Sequence, residues 1–306
     1  MMDWSDRHYR YFMRQVNGSA FLYTEMITTG ALIHGDVPRH LDFSKEEHPV
    51  AVQLGGCDPE ELSFCSRKAA AYGYDEINLN IGCPSERVQK GAFGACLMAE
   101  PNLVAECVAA IRETVKVPVT VKHRLGIDRV QEYEFVRRFV ETVAKAGCRT
   151  FIVHARNAIL KGLSPKENRE VPPLKYDYVY RLKQDCPQLE IILNGGLVSR
   201  EGILDEQNRL DGVMVGRAAY HDPWVLSDGT KTRAEVVLSM KKYCEKHPDL
   251  PLRSVARHML GLYHGTRRAR LWRRMLSDPA LLARNDPALL LEAMEAVEAG
   301  SIMKAA

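Results

Sequence analysis

From Asn78 to Cys96 the chain reads Asn-Leu-Asn-Ile-Gly-Cys-Pro-Ser-Glu-Arg-Val-Gln-Lys-Gly-Ala-Phe-Gly-Ala-Cys, and its two thiols have different prospects. Cys83 stands immediately before Pro84, at the end of a run with strand character, which is a structural position. Cys96 follows the glycine-rich segment Gly91 to Ala95, which is free enough to swing over a site and deliver a proton. A buried inert thiol is a common alternative, so spacing alone leaves both readings of Cys96 open. The eight cysteines contain no Cys-x-x-Cys pair, the usual nucleus of a zinc cage, and no metal site is expected. With no basic-then-apolar leader ahead of them, they read as reduced thiols of a cytoplasmic protein.

Other polar residues stand at the ends of short apolar runs. Asn194-Gly195-Gly196 and Val215-Gly216-Arg217 are turns in which glycine lets the backbone approach an anion, and Arg217 adds a bidentate donor. Two such turns closing the last two runs suggest a bound phosphate. Lys122 then falls at the ring end of a phosphate-anchored cofactor, where a cation stabilises a reduced, anionic flavin. Gln53 has the donor and acceptor that the flavin's pyrimidine edge requires. His154, beside Arg156, suits a phosphate or substrate better than a core position.

These residues need a scaffold that brings strand ends together. Phe21 to Glu25, Val50 to Leu54, Glu76 to Asn80, Val119 to Lys122, Thr150 to His154, Glu190 to Leu193 and Gly212 to Val215 read as buried parallel strands without clean two-residue alternation. Helical spacing separates them over Glu60 to Tyr72, Pro101 to Val115, Gln131 to Ala146, Tyr176 to Asp185 and Arg200 to Asn208. This α/β repeat predicts a TIM (β/α)8-type barrel whose strand ends open on one mouth. Seven runs stand where eight are required, so the expectation is a barrel lacking its first strand. The barrel is predicted over residues 1–226, a linker over 227–233 and a small all-helical domain over 234–306. No apolar run approaches the roughly 20 residues of a membrane helix, and the 306 residues, 46% hydrophobic and 26% charged, suit an ordinary globular chain.

Net charge is only +3, but it is unevenly placed. Between Arg253 and Arg274 lie seven arginines and no carboxylate. That concentration favours a polyanionic partner over a surface matched by anions elsewhere in the fold.

The chain resembles the tRNA-dihydrouridine synthases, and among them the A-type enzymes, over nearly its whole length. The segments that carry the resemblance are Met1 to His8, Tyr23 to Met26, Gln53 to Gly56, Asn78 to Cys96, Val121 to Gly126, His154 to Arg156, Leu163 to Arg169, Asn194 to Gly196, Gly216-Arg217, Arg257 to Gly261 and Leu271 to Arg274. The resemblance implies a flavin enzyme that reduces uridine to 5,6-dihydrouridine in the D-loop of tRNA, at positions 20 and 20a. It assigns FMN to Met1, Met2, Gln53, Lys122, His154, Asn194, Gly195, Gly196, Gly216 and Arg217. Cys96 becomes the general acid, and NADPH the reductant. Within the matching segments, Asn80, Arg124, Ser164, Lys166, Glu167 and Arg169, with Arg270, Arg273 and Arg274 of the tail, are the candidates to touch tRNA. No membrane and no obligate protein partner are expected. Two alternatives stay open: a flavin barrel dehydrogenase acting on a free pyrimidine, and a tRNA-binding protein impaired in catalysis.

Overall fold

The computed structural model describes residues 1–85, 88–89, 91–130 and 132–302. Gln131, where one predicted helix begins, and Glu86, Arg87 and Lys90 of the glycine-rich stretch lie outside the described residues.

Seven strands form one sheet in chain order: Leu22–Thr28 (β1), Val50–Gly55 (β2), Glu76–Ile81 (β3), Val119–Arg124 (β4), Thr150–His154 (β5), Glu190–Asn194 (β6) and Gly212–Met214 (β7). From β2 to β7 every pairing is parallel. The crossover helices are Pro59–Tyr72, Pro101–Thr114, Tyr133–Lys145, Tyr176–Asp185 and Arg200–Gln207. This is the (β/α)8-type architecture with seven strands, and no eighth is found among the described residues. Local sequence sets the helix ends. Asp58 caps the Pro59–Tyr72 helix through the amides of Glu60 and Glu61, and Gly73, at φ +95°, ends it in the left-handed conformation.

The strands differ from their sequence reading in one important way, because they do alternate. In β3, Ile77, Leu79 and Ile81 lie on one face and Glu76, Asn78 and Asn80 on the other. In β4, His123 packs among rings, 5.1 Å from Phe139 of a crossover helix, so its neighbours Lys122 and Arg124 take the opposite face. The apolar set meets the helices, and the polar set lines the inner side. Small barrels usually fill that space with Val, Ile and Leu.

The chain divides into two compact units, and not at the linker expected from sequence. One consists of Met1, Tyr23–Phe43 and His48–Gly216; the other of Met2–Leu22, Ser44–Glu47 and Arg217–Ala306. The barrel expected over 1–226 therefore gives up its opening helix and its last ten residues. Polar contacts explain why Arg7–Val16 (α1) belongs with the C-terminal helices. Asp6 caps α1 with one carboxylate oxygen, and with the other accepts from Arg257 at 2.7 Å and from His258 at 2.9 Å. Arg10 of α1 forms a buried ion pair with Glu47 at 2.7 Å. In the same unit Trp272, on Ala269–Ser277 (α2), is buried and donates its indole N–H to the Met259 carbonyl at 2.8 Å. Among the described residues no helix is long and apolar enough to cross a membrane.

Candidate active site

Strand register assembles the site. Arg124 pairs with His154, and His154 with Asn194; Asn194 pairs with Met214. One residue pair deeper, Asn80 pairs with Lys122, and Gln53 aligns with Asn78 and Asn78 with Thr120. The barrel-unit candidates Gln53, Asn80, Lys122, Arg124, His154 and Asn194 thus share the inner, C-terminal side of one sheet, where sites of this fold are built.

Lys122 is half-buried and makes no hydrogen bond or ion pair to a described residue. Burial, and then the charge of Arg124, push its ammonium down to about 8. A cation held this way is relieved by an anion placed beside it. Arg124 is itself buried, and among the described residues it donates to three carbonyls: Gly82 at 3.2 Å, Asn157 at 3.1 Å and Asn168 at 2.8 Å. Burial pushes it down to about 9; Cys83 opposes this, while Arg169 and Arg156 add to it. Arg124 therefore lies close enough to Lys122, Arg156 and Arg169 for their charges to act on one another through it, and the four make the mouth cationic.

Past β6 the glycine turn fits close approach by a ligand. Gly195 and Gly196 have φ of +101° and +76°. A Cβ at Gly195 would stand 2.4 Å from the His154 ring, and one at Gly196 would stand 2.5 Å from Leu174. Tyr176 steadies the turn by donating to the Gly195 carbonyl at 2.6 Å. Asn194 donates its side chain to the Met214 carbonyl at 2.7 Å, which ties β6 to β7 just below the turn. Met1 lies in this unit too, its sulfur 3.4 Å from where a Cβ of Gly216 would sit. A lysine without a partner at one end of a strand row and a glycine turn without room for side chains at the other suit a phosphate-bearing flavin. Met2, 61% exposed, and Arg217 fall in the other unit.

Cys96 sits on a short 3-10 helix, Gly94–Ala99, packed beside β3 and β4, where the sequence suggested a swinging loop. The segment is pinned: the Ala95 amide donates to the Cys83 carbonyl at 2.9 Å. Gly94 at φ +77° has Val88 and the Cys83 carbonyl within 2.6 Å of a would-be Cβ, so no other residue fits there. The half-buried Cys96 thiol donates to the Phe93 carbonyl at 3.1 Å. Burial pushes its pKa up, against the smaller pull of its own amide and that of Leu97. It is a thiol at neutral pH, the state a proton donor needs. Cys83 gives its amide to Asn80 Oδ1 at 3.0 Å, and its sulfur stands 3.6 Å from the Ser85 hydroxyl.

Further around the mouth, Asn168 is fully buried and anchors the segment that carries Ser164, Lys166, Glu167 and Arg169. It accepts from the Ile159 amide at 2.7 Å and donates to the Ile159 carbonyl at 2.9 Å. Ser164 and Glu167 hold each other, amide to carboxylate at 2.8 Å and amide to hydroxyl at 3.2 Å. That brace leaves Lys166 and Arg169 exposed at the rim. Arg270, Arg273 and Arg274 are exposed on α2, in the other unit.

A family model described as dihydrouridine synthase matches residues 1–299 of this chain. The chain belongs to the dihydrouridine synthase family. Relatives named tRNA-dihydrouridine(20/20a) synthase include proteins of Synechocystis sp., 53% identical over 97% of this chain and 92% of that protein, and of Shewanella oneidensis, 54% identical over 92% and 87%. The Escherichia coli K12 protein of that name is 51% identical over 97% of this chain and 90% of its own length. Among solved structures, histamine dehydrogenase from Rhizobium sp. 4-9 aligns with 83% of this chain and 46% of that chain, at 14% identity and a TM-score of 0.48.

Reading strand ends alone passed over several residues of this dihydrouridine synthase site. Glu76, Asn78 and Thr120 lie within strands, and Asn168 and Tyr176 beyond them. For the first two a signal was present, the polar alternation of Glu76, Asn78 and Asn80 in a strand buried on both faces.

Proposed function

We propose that the chain reduces uridine to 5,6-dihydrouridine in tRNA, at positions 20 and 20a, with FMN as its cofactor and NADPH as its reductant. The observation that carries this reading is a half-buried thiol, Cys96, beside the two strands that bear Asn80 and Lys122, in a chain 51–54% identical to relatives of that name. Reduced FMN, when bound, supplies the hydride that saturates carbon 6 of the uracil. Cys96 gives its Sγ proton to carbon 5, and the resulting thiolate recovers a proton from water. With FMN bound, Lys122 would offset negative charge at its ring and the amides of Gly195, Gly196 and Gly216 would receive its phosphate; Arg217 joins them by the family resemblance alone. His154 and Asn194 would contribute on the barrel side of the same cofactor, and Met1 and Met2 are assigned to it by the family resemblance alone. Asn80 and Arg124, with Ser164, Lys166, Glu167 and Arg169 at the rim, meet the flipped nucleotide and its neighbours. The arginines of α2 grip phosphates elsewhere on the RNA. All eight cysteines are unpaired, which suits the reducing cytoplasm, where Cys96 stays available.

The test is incubation of the FMN-loaded protein with NADPH and unmodified tRNA transcript, followed by nucleoside mass spectrometry. Dihydrouridine at positions 20 and 20a is the expected product. Reduction of free uracil or orotate with tRNA untouched would favour a pyrimidine dehydrogenase. A protein that binds tRNA but takes up no flavin would leave only the binding role.

A further inference from the structure

Inside the barrel unit, a chain of side-chain hydrogen bonds runs from the bottom of β3 to the mouth. Tyr23 and Thr120 both donate to Glu76 Oε1, at 2.9 and 2.6 Å. The Thr120 hydroxyl accepts from Asn78 Nδ2 at 2.8 Å, Asn78 Oδ1 accepts from Gln53 Nε2 at 2.8 Å, and Gln53 Oε1 accepts from Asn80 Nδ2 at 2.7 Å. Asn80 Oδ1 accepts from the amides of Gly82 and Cys83, both at 3.0 Å. Glu76, Gln53, Asn78 and Thr120 are each at most 8% exposed, so water does not compete for these bonds.

Every donor in this chain points toward Glu76, and the direction is forced. A hydroxyl has one hydrogen, and that of Thr120 goes to Glu76 Oε1; burial pushes the Glu76 carboxyl up, and a proton on its other oxygen leaves Oε1 an acceptor. Its lone pair must then face an N–H, which turns the Asn78 amide one way, and Asn78 in turn fixes Gln53. From the other end the backbone amides of Gly82 and Cys83 hold the Asn80 oxygen, so its NH2 faces Gln53. Reversing any one amide would set oxygen against oxygen or nitrogen against nitrogen in a space without water, a loss equal to at least one buried hydrogen bond.

We infer that Glu76 and Thr120 are positioning residues: as the accepting end of a one-way hydrogen-bond relay, they fix which faces of the Gln53 and Asn80 amides meet a bound flavin and the base above it. The inference rests on the flavin reading above. Gln53 keeps one N–H and one oxygen lone pair beyond the relay, and Asn80 one N–H. The relay decides on which side each of these lies, although Glu76 is two strand layers below the mouth.

The experiment compares Thr120→Val, which removes the hydroxyl at nearly constant volume, with Thr120→Ser, which restores it, and Tyr23→Phe, which removes a bond to the same Glu76 oxygen without cutting the relay. FMN affinity, the visible spectrum of bound flavin and the melting temperature of the cofactor-free protein are measured for each. Thr120→Val should bind FMN about tenfold more weakly, the equivalent of one hydrogen bond, and shift the flavin band. Thr120→Ser should return both to wild type, and Tyr23→Phe should lower only the melting temperature. Wild-type affinity and spectrum in Thr120→Val, or affinity losses that track melting temperature in all three, would overturn the relay. Should Thr120→Val not fold, neutron diffraction of the wild-type protein decides the matter. A Thr120 deuteron on the Glu76 side and Gln53 Nε2 deuterons toward Asn78 are expected, and the opposite arrangement refutes the inference. Wild-type protein that takes up no FMN, with the deuterons as expected, overturns the flavin reading while leaving the relay's geometry standing.

Discussion

Cys96 combines two properties that a general acid needs: it is held in place, by its bond to the Phe93 carbonyl, and it is kept protonated, by burial. On the function proposed above, Cys96→Ala should leave flavin content and NADPH oxidation unchanged and lower dihydrouridine formation by roughly 10² to 10⁴. Single-turnover reduction of tRNA by pre-reduced enzyme separates the two half-reactions. Wild-type rates in the variant would move the acid elsewhere, to His154 first. At this scale the sequence was legible where a residue's position at a strand end announced it, as for Lys122 and Asn194. It also offered Arg124 as a candidate, but not the three carbonyls to which Arg124 donates, because they lie 42, 33 and 44 residues away in the chain. It was readable but misread for Glu76 and Asn78. Buried parallel strands are expected to be apolar throughout, and that prior hid a polar stripe facing inward.

Elements were easier to read than their faces. The Thr150–His154 strand and the Tyr176–Asp185 helix have the bounds that periodicity predicts, while β1 runs on to Thr28, past the predicted Glu25, through residues whose burial only the fold decides. The arginine-rich tail resolves into two populations. Arg257 is answered by Asp6, a carboxylate 251 residues away that composition could not match to it. Arg270, Arg273 and Arg274 share one side of α2 at three- and four-residue spacing, exposed and without a described ion-pair partner, opposite the buried Trp272 and Leu276. Replacing these three with Ala should raise the KM for tRNA and leave flavin reduction by NADPH unchanged. For every arginine–phosphate pair that the substitutions remove, the plot of log affinity against log salt should flatten by about 0.7 to 0.9. A triple variant with the wild-type salt slope would shift recognition to the rim around Lys166 and Arg169.

For the molecule as a whole, two buried histidines lower stability on mild acidification, while Glu47 and Glu76, whose carboxyls burial pushes up, act the other way. His123 has no exposure; its Nδ1–H donates to the Arg124 carbonyl at 2.7 Å, and its Nε2 is buried with no partner among the described residues. Burial pushes its pKa down to about 4, with Lys122 adding to the shift. The unfolded chain takes up this proton near pH 6.5 and the folded one resists it. Stability is therefore lost as pH drops from about 6.5 toward 4, by up to about 3 kcal/mol from this group. His8, whose pKa burial also pushes to about 4, acts in the same direction. Melting curves between pH 7 and 4.5 should show the decline, and His123→Phe should flatten much of it; an unchanged slope would assign the effect to other groups. The division into two units has a consequence in time as well as in space. Helix α1 leaves the ribosome before the seven described strands, yet its apolar residues Phe12, Met13 and Val16 are buried in a unit completed only by Arg217 onward. At about 5 to 20 residues per second, the 200 residues between them take roughly 10 to 40 s to synthesise. Throughout that interval the nascent chain carries an amphipathic helix without its partner, a vectorial delay set by chain order alone.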